Sequence, residues 1–356
     1  MVKLNSELKF VLYAHIFIAL FLVYQLFDLI TLLYDDSFNF ALSNNQLNNQ
    51  TFYSSNDQLI PKIIHQTYKS NNIPNHWKNG QFQCQSLNND YQYILWTDEM
   101  ARDFIVQNYP WFTKTFDSYK FNIERADVIR YFILYHYGGI YIDLDDTCLR
   151  NLDPLLNYPA FVRKTIPTGI SNDVLGAIPN HPFYNKVIKN LKHYNRNWLV
   201  PYITVMFSTG PLFLSVMWKQ YIRWGVDPNF DIKILMPNDY KSGENSFFEI
   251  EKGSSWHNDD AHILLLMRDH IIITVIFFTF VGFSIVFTEY LIVCLINKKF
   301  GSKLSSFYNS LFQKNNSSLN YSNRIIRKSR KDSNLPLALS VDLEKNVKIL
   351  DDIEEL

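Results

Sequence analysis

Two long apolar runs stand near the two ends of the chain. The first, Phe10–Leu33, is broken by three polar residues, His15, Gln25 and Asp28. The second, Ile271–Ile296, carries one charge, Glu289. A membrane-spanning helix needs about 20 apolar residues, so both runs are long enough to cross a bilayer. A cleavable signal peptide is the competing interpretation of the first run, but the length of the run and the lack of a small-x-small exit favour an uncleaved anchor.

Between these runs, short apolar segments alternate with longer amphipathic ones. Residues 60–66 and 92–97 predict buried strands. Helices are predicted at Asp98–Asn108 after a Thr97 cap, at 118–137, from Pro182, and at Pro211–Trp224. Strands that alternate with helices indicate an α/β domain with a largely parallel sheet. Ligands of such domains bind at the carboxyl ends of the strands.

Residues 123–146, which read IERADVIRYFILYHYGGIYIDLDD, are the most informative stretch. Gly138 and Gly139 predict a helix end where positive φ is needed. If Ile140–Leu144 is extended, Tyr141, Asp143 and Asp145 share one face. Two neighbouring carboxylates repel each other unless a cation lies between them, and a hard divalent ion is the natural occupant. Such an ion leaves room for a phosphate oxygen, so the sequence predicts a diphosphate-bearing substrate.

The helix before that strand carries Asp127 and Arg130, three residues apart on one face. A bidentate guanidinium suits sugar hydroxyls or phosphate. A surface ion pair is the alternative interpretation of the same spacing.

Composition adds bounds rather than chemistry. The 356 residues include 34 basic and 34 acidic side chains, so the net charge is zero. The chain therefore lacks the excess of positive charge that would indicate a nucleic-acid partner. Hydrophobic residues make up 47%, with 28 Phe and 22 Tyr, enough for one sizeable core and a membrane-bound part. The three cysteines, Cys84, Cys148 and Cys294, do not make a disulfide framework. Cys84 and Cys148 can pair in an oxidising lumen or remain two core thiols.

Charges that flank the apolar runs predict a topology. Lys3 and Lys9 precede the first run and Asp35 and Asp36 follow it, whereas Lys298, Lys299 and Lys303 follow the second. The positive-inside rule then places both ends in the cytosol and residues 35–268 in a lumen. The predicted order is a cytosolic terminus (1–9), an anchor (10–34), a lumenal stem (35–59), a catalytic domain (60–268), a second span (271–296) and a cytosolic, largely disordered tail (297–356). The Asn49 sequon would be glycosylated, and those at Asn315, Asn316 and Asn320 would not.

The string that runs from Arg125 to Asp145 resembles the DxD glycosyltransferases of family 32, whose motif is R-x-D-x-x-R…Y-G-G-x-Y-x-D-x-D. Further matching segments are 60–67, 93–98, 171–173, 181–183, 209–211 and 253–257. The chain is most similar, within that family, to fungal enzymes that mannosylate inositol phosphorylceramide. The resemblance implies a single GT-A domain, a Rossmann-like nucleotide-sugar fold, between two transmembrane helices. It also implies a retaining mannosyltransferase that uses GDP-mannose and Mn²⁺ or Mg²⁺.

The resemblance further implies roles for individual residues. The metal would be held by Asp143, Asp145 and His257, with Asp259 or His262 as substitutes for the histidine. Catalytic roles are expected for Asp143, Asp145 and Asp173. The donor would be bound by His65, Gln66, Trp96, Asp127, Arg130, Tyr141 and Asp143. Asn172 and Trp256 are candidates for the acceptor side. Trp77 and Trp96 are candidates for stacking on the base of the donor. Core packing is the alternative for both indoles and for His65, and helix capping is the alternative for Asn172 and Asp173.

The implied setting is the Golgi membrane, with the catalytic domain lumenal and inositol phosphorylceramide in the bilayer as acceptor. The resemblance implies one protein partner, a multipass, calcium-responsive regulatory membrane subunit, and no nucleic acid. Two other functions stay open at this point. One is a Golgi mannosyltransferase that extends protein-linked glycans, and the other is a catalytically silent membrane scaffold.

Overall fold

The computed structural model describes residues 6–43, 47, 58–166, 168–240, 246–250, 266–267 and 269–299. The chain divides into two compact units. One unit comprises residues 1–18 and 275–356, and the other comprises residues 19–274.

The described residues form eleven α-helices and eight strands, which alternate through most of the larger unit. The helices are α1 (Ser6–Gln25), α2 (Phe27–Thr31), α3 (Asn75–Leu87), α4 (Asp98–Asn108), α5 (Thr113–Ser118), α6 (Asn122–Tyr137), α7 (Pro182–Tyr194), α8 (Pro201–Ser208), α9 (Pro211–Ile222), α10 (Pro237–Tyr240) and α11 (Ile271–Lys299). The strands are β1 (Ile63–Thr67), β2 (Gln92–Trp96), β3 (Gly139–Ile142), β4 (Asp146–Cys148), β5 (Ala160–Lys164), β6 (Ile170–Ala177), β7 (Ile232–Leu235) and β8 (Phe248–Ile250).

The central sheet has six strands in the order β2-β1-β3-β6-β5-β7, and β4 pairs with β8 beside it. β1 is parallel to β2 and β3, and β5 is parallel to β7, whereas β6 is antiparallel to both of its neighbours. The sheet is therefore mixed, and the prediction of a largely parallel sheet is corrected at β6. Only residues 165–169 join β5 to β6, and a connection without a crossover helix permits only antiparallel pairing.

Local sequence signals are confirmed at the helix ends that frame the site. The Thr97 hydroxyl accepts a hydrogen bond from the Met100 backbone N–H at 3.2 Å and caps α4. α6 stops at Tyr137 because Gly138 and Gly139 take φ values of 66° and 94°, which disfavour any side chain. α9 ends at Ile222, two residues before its predicted end.

The sheet lies between two apolar cores, and β3 contributes to both. Tyr141 belongs to the core that includes α6, whereas Ile140 and Ile142 belong to the opposite one. This alternation is the period-2 pattern that the sequence predicted. α6 itself is buried along most of its length. It therefore fixes the position of Arg130 relative to β3.

A disulfide joins Cys84 on α3 to Cys148 on β4. It resolves the alternative that the sequence left open for these two residues. Disulfides persist in oxidising compartments, so this bond agrees with a lumenal domain. It also ties the strand that follows the DxD turn to a helix whose Trp77 lines the cavity described below.

Residues 35–42, predicted as the start of a stem that buries little, pack against the domain instead. Ser37 is fully buried and Leu42 nearly so. Ala41 forms a bridge with Ile234 on β7, and the Leu42 N–H donates to the Ile234 carbonyl at 3.0 Å. The sequence did not predict this because the contacts join residues far apart in the chain. The rest of the predicted stem lies outside the described residues, apart from Ser43, Leu47, Gln58 and Leu59.

In the smaller unit, polar residues of α1 and α11 pair with each other at two points. The His15 imidazole lies 3.1 Å from the Glu289 carboxylate, and Asn297 donates to Glu7. The two contacts run in opposite directions along the helices, so α1 and α11 are antiparallel here. Both helices are long and apolar enough to cross a membrane.

Candidate active site

A cavity of about 460 Å³ opens at the carboxyl ends of β1, β2 and β3. Thr67, Trp96 and Asp143, which end or follow these three strands, all line it. Carboxyl ends of neighbouring strands are where α/β sheets bind ligands, so the cavity lies where the sequence placed a site. Its wall combines aromatic side chains with charged ones, including Arg125, Arg130 and Asp145.

Both DxD carboxylates line the cavity, and Asp143 is fixed on several sides. Its backbone N–H donates to the Asp173 carbonyl at 2.8 Å, and the Tyr141 hydroxyl donates to its carboxylate at 2.5 Å. Burial and, second to it, the negative charge of Asp143 together raise the pKa of Asp145 to about 7. Burial raises the pKa of Asp143 as well, although the charge of Arg130 opposes this. The sequence predicted that Tyr141, Asp143 and Asp145 share one face of a strand that continues to Leu144, and this is corrected at Asp145. The strand ends at Ile142, residues 144–145 form a turn, and the hydrogen bond joins Tyr141 to Asp143 alone.

Arg130 stands at the centre of the charged groups. Its guanidinium lies 3.0 Å from the Asp127 carboxylate and 3.3 Å from that of Asp143, and it donates to the Asn172 carbonyl at 2.5 Å. Only 3% of the side chain is exposed, yet it lines the cavity. The alternative of a surface ion pair between Asp127 and Arg130 is therefore wrong.

Asp127 lies behind Arg130 and is not part of the cavity wall. One of its oxygens accepts from Asn172 at 2.9 Å, and the other accepts from the Thr209 hydroxyl at 2.9 Å. Burial raises its pKa to about 6, and the charge of Arg130 opposes that rise. Asn172 is likewise buried against Asp127 and Tyr131, so the structure places this acceptor candidate behind Arg130 rather than in the cavity.

A second guanidinium, which sequence reasoning missed, organises the other side of the DxD turn. Arg163 on β5 is 2% exposed and lies 2.5 Å from the Asp146 carboxylate and 3.0 Å from that of Asp173. Asp173 retains 26% exposure, and its second oxygen accepts from the Val174 N–H at 2.8 Å. Arg163 therefore orients the carboxylate that the sequence proposed as catalytic. Nothing in the residues around Arg163 signals this role.

The balance of charge at this site favours a cation. Five carboxylates, those of Asp127, Asp143, Asp145, Asp146 and Asp173, surround the guanidiniums of Arg130 and Arg163. Carboxylate oxygens in excess over cations are a donor set that suits a hard divalent ion. Within the described residues, no three Asp, Glu, His or Cys side chains gather in metal-binding geometry. The predicted third ligand, His257, lies outside those residues, as do Asp259 and His262.

The residues predicted at the nucleotide end occupy different positions. Trp96 lines the cavity although it is 6% exposed, and its indole N–H donates to His65 at 3.1 Å. His65 in turn donates to the Gly138 carbonyl at 2.9 Å, and burial lowers its pKa to about 4, so it is a neutral core residue. Gln66 is also fully buried and accepts from Tyr93. Trp77, which lines the cavity, is the more accessible indole.

Three further expectations fall outside the described residues. These are the acceptor candidate Trp256, the metal ligand His257 and the glycosylation site Asn49.

Residues 74–162, which include the DxD turn, match the glycosyltransferase sugar-binding region containing the DXD motif. The chain is 50% identical to the mannosyl phosphorylinositol ceramide synthase CSH1 of Saccharomyces cerevisiae, over 96% of this chain and 98% of that protein. It is 52% identical to the synthase SUR1 of the same yeast, over 85% of this chain and 78% of SUR1. It is 45% identical to inositol phosphoceramide mannosyltransferase 2 of Schizosaccharomyces pombe, over 81% and 78% of the two chains.

Proposed function

Since the chain belongs to the mannosyl phosphorylinositol ceramide synthase family, we propose that it transfers mannose from GDP-mannose to inositol phosphorylceramide, with retention at the anomeric carbon. The observation that carries the proposal is the cavity at the ends of the parallel strands. It brings Asp143, Asp145 and Arg130 together with two indoles. On this proposal the domain is a GT-A domain.

The charged wall suits the diphosphate of a sugar nucleotide. Departure of the nucleoside diphosphate concentrates negative charge on its oxygens, and catalysis requires that charge to be stabilised. A divalent cation held by Asp143 and Asp145, with His257 as the expected third ligand, would act there as a Lewis acid. Mn²⁺ is our first candidate and Mg²⁺ the second. The position of both carboxylates in the wall of one cavity supports this assignment, because a cation between them would offset their mutual repulsion.

Arg130 and its supports form the sugar end of the donor site in this proposal. Asp127, held by Thr209 and Asn172, fixes the guanidinium so that it reaches the cavity in one orientation. Asp127 and Asn172 then act through Arg130 rather than by touching the sugar. Trp77 and Trp96 would flank the base at the other end of the cavity.

Asp173 lies beside the DxD turn and is not among the side chains that line the cavity, and we propose that it acts at the edge of the reacting centre. Arg163 holds one of its oxygens, and the backbone carbonyl of Asp173 accepts from the Asp143 N–H. The two aspartates are thereby locked in one frame. A carboxylate that is fixed and partly exposed can stabilise positive charge on the sugar or orient the acceptor hydroxyl.

We place the enzyme in the Golgi membrane, with α1 and α11 spanning it and the catalytic domain in the lumen. The disulfide between Cys84 and Cys148 supports an oxidising side. The acceptor's ceramide would lie in the same bilayer. A multipass, calcium-responsive regulatory subunit stays an expectation from the family resemblance, and so does a glycan on Asn49.

One experiment separates this function from its alternatives. Purified full-length protein in detergent would be given labelled GDP-mannose or UDP-glucose, with inositol phosphorylceramide or an oligomannose glycan as acceptor. We expect metal-dependent transfer of mannose to the lipid alone. Transfer to the glycan instead would support the protein-glycan alternative, and absence of any donor turnover would support a silent scaffold.

A further inference from the structure

The segment that follows α1 carries three carboxylates, and each binds a basic residue of the catalytic domain. Asp28 pairs with Arg223 and accepts from Gln220 at 2.6 Å. Asp35 pairs with Lys164 at 2.5 Å, and Asp36 pairs with Lys219. We call Asp28, Asp35 and Asp36 the acidic clasp. It accounts for the charge at Asp28, which is otherwise out of place at the end of an apolar run.

Two of the clasp's partners are buried, which makes these pairs more than surface contacts. The side chains of Lys164 and Lys219 are 8% and 5% exposed. A buried ammonium that loses its partner destabilises a fold by several kcal/mol. Lys219 also donates to the Tyr34 carbonyl at 2.6 Å, and the Thr168 hydroxyl donates to that of Leu32. Residues 28–38 are therefore a fixed part of the domain.

The same neighbourhood exposes large apolar side chains. Trp224 is 90% exposed and adjoins Arg223, Leu33 and Tyr34 are 83% and 72% exposed, Phe38 is 70% exposed beside Lys164, and Ile166 is 63% exposed. Each of the five lies in residues 28–38 or within two residues of a side chain that binds this segment. We call these five residues the interfacial patch. Exposed aromatic clusters of this kind mark interaction surfaces.

We propose that the interfacial patch lies in the headgroup region of the bilayer that α1 enters, and that the acidic clasp holds the catalytic domain in that orientation. The inference rests on the proposed membrane anchoring. We assign the lipid surface as the partner of the patch for one reason. α1 is long and apolar enough to span a membrane, it ends at Gln25, and the patch begins eight residues later. Trp and Tyr side chains, such as those of Trp224 and Tyr34, are enriched at such interfaces.

This arrangement bears on the reaction. An acceptor whose headgroup stays at the membrane surface can be reached only by a site held at a suitable height. A domain on a loose stem would sample many orientations, and each wrong one lowers the effective concentration of the headgroup at the cavity. A domain that is fixed by three ion pairs and by the interfacial patch keeps one orientation, so the effective concentration of the headgroup at the cavity stays high.

The first test measures depth directly. Full-length protein with Cys294→Ser would carry a single environment-sensitive fluorophore on Phe38→Cys, Trp224→Cys or Phe82→Cys, in nanodiscs of phosphatidylcholine that contain a headgroup nitroxide lipid. Phe82 is the matched control because it is 72% exposed, close to the value for Phe38, but lies on α3. We expect a blue shift and strong quenching at 38 and 224 and neither at 82. Equal quenching at all three positions, or none at 38 and 224, would overturn the inference.

The second test addresses the clasp. Asp28→Arg should lose most of the quenching at position 224 and reduce transfer to bilayer-embedded acceptor roughly tenfold. Hydrolysis of GDP-mannose by the same variant should be unchanged. Adding Arg223→Asp should restore both readouts, which a variant that merely misfolds cannot do. Unchanged quenching in Asp28→Arg would refute the clasp. Quenching without any sugar transfer in the unmodified protein would support the inference and overturn the proposed function instead.

Discussion

At the scale of single residues, the proposed binding of the donor depends on the fixed geometry of Arg130. Its guanidinium is held by Asp127, Asp143 and the Asn172 carbonyl while it faces the cavity. A lysine cannot reproduce a planar group with several directed donors. We expect Arg130→Lys to lower kcat/KM for mannose transfer roughly 10- to 100-fold, the equivalent of about 1.5–3 kcal/mol of charge-assisted hydrogen bonding.

The matched control for that variant is Arg102→Lys. Arg102 makes a bidentate pair with Asp117 on the surface, and half of its side chain is exposed. Steady-state kinetics of the two variants should differ, because exposed pairs contribute little. Wild-type kcat/KM in Arg130→Lys would show that the guanidinium does not contact the donor.

Arg163 gives a prediction of a different kind, since it acts through Asp173. Arg163→Lys keeps the positive charge but cannot hold the Asp146 and Asp173 carboxylates at once. We expect kcat to fall while the KM for donor changes little, because the cavity wall itself is untouched. Kinetics and the melting temperature should be measured together. A loss of stability with unchanged kcat would assign Arg163 a structural role only.

Some contacts of single residues can be predicted from the sequence, and others cannot. The shared face of Tyr141 and Asp143 follows from strand periodicity, which is local, and it was predicted. The partnership of Arg163 with Asp146 and Asp173, and that of Thr209 with Asp127, join different elements. His65 matched a family segment, yet both of its ring nitrogens form hydrogen bonds within the core, to Gly138 and Trp96. No local signal in the sequence predicts these contacts between different elements.

At the scale of elements, the disulfide between α3 and β4 offers the clearest prediction. Its two cysteines are 64 residues apart, and the segment between them contains Arg130 and the two DxD aspartates. We expect replacement of both Cys84 and Cys148 by Ala to lower the free energy of unfolding by about 2–4 kcal/mol. Thermal melts of the purified protein with and without dithiothreitol would measure this.

Cys294→Ala is the control for the disulfide variant, because Cys294 is a free cysteine. The wild-type protein and this control should both melt at lower temperature in dithiothreitol, and the double variant should be insensitive to it. A double variant that melts as the oxidised wild type does would contradict the stabilising role of the bond.

Element existence was more predictable than element arrangement. β2 and α4 lie within one residue of their predicted bounds. β1 begins at Ile63 rather than at residue 60, and α6 begins at Asn122 rather than at residue 118, where the separate helix α5 ends. The direction of β6 follows from the short connection 165–169 once β5 and β6 are recognised as strands, but the sequence patterns predicted neither strand. The docking of residues 35–42 was missed because its contacts join residues far apart in the chain. Lys164 and Lys219 stand 129 and 183 residues from the aspartates that they bind.

At the scale of the whole molecule, the proposed topology has the two apolar helices divide the chain between compartments. A sequon engineered at an exposed position of residues 60–240 should be glycosylated in cells, and one within 300–356 should not. The reason is that only the lumenal side meets the glycosylation machinery. A mobility shift that endoglycosidase removes would report each case. Glycans on the native Asn315 or Asn320 would contradict the two-span topology.

The central claim is that the DxD cavity transfers mannose to inositol phosphorylceramide, and one comparison tests it most directly. Asp145→Asn and wild type would be purified alike and given labelled GDP-mannose, saturating Mn²⁺ and inositol phosphorylceramide. Asp90→Asn, a change to an exposed surface pair with Lys62, is the control. We expect Asp145→Asn to lose roughly 10³-fold in transfer, as removal of a charge-stabilising ligand would cause, with the melting temperature retained. The Asp90 variant should keep full activity. Near-normal transfer by a folded Asp145→Asn protein would contradict the account.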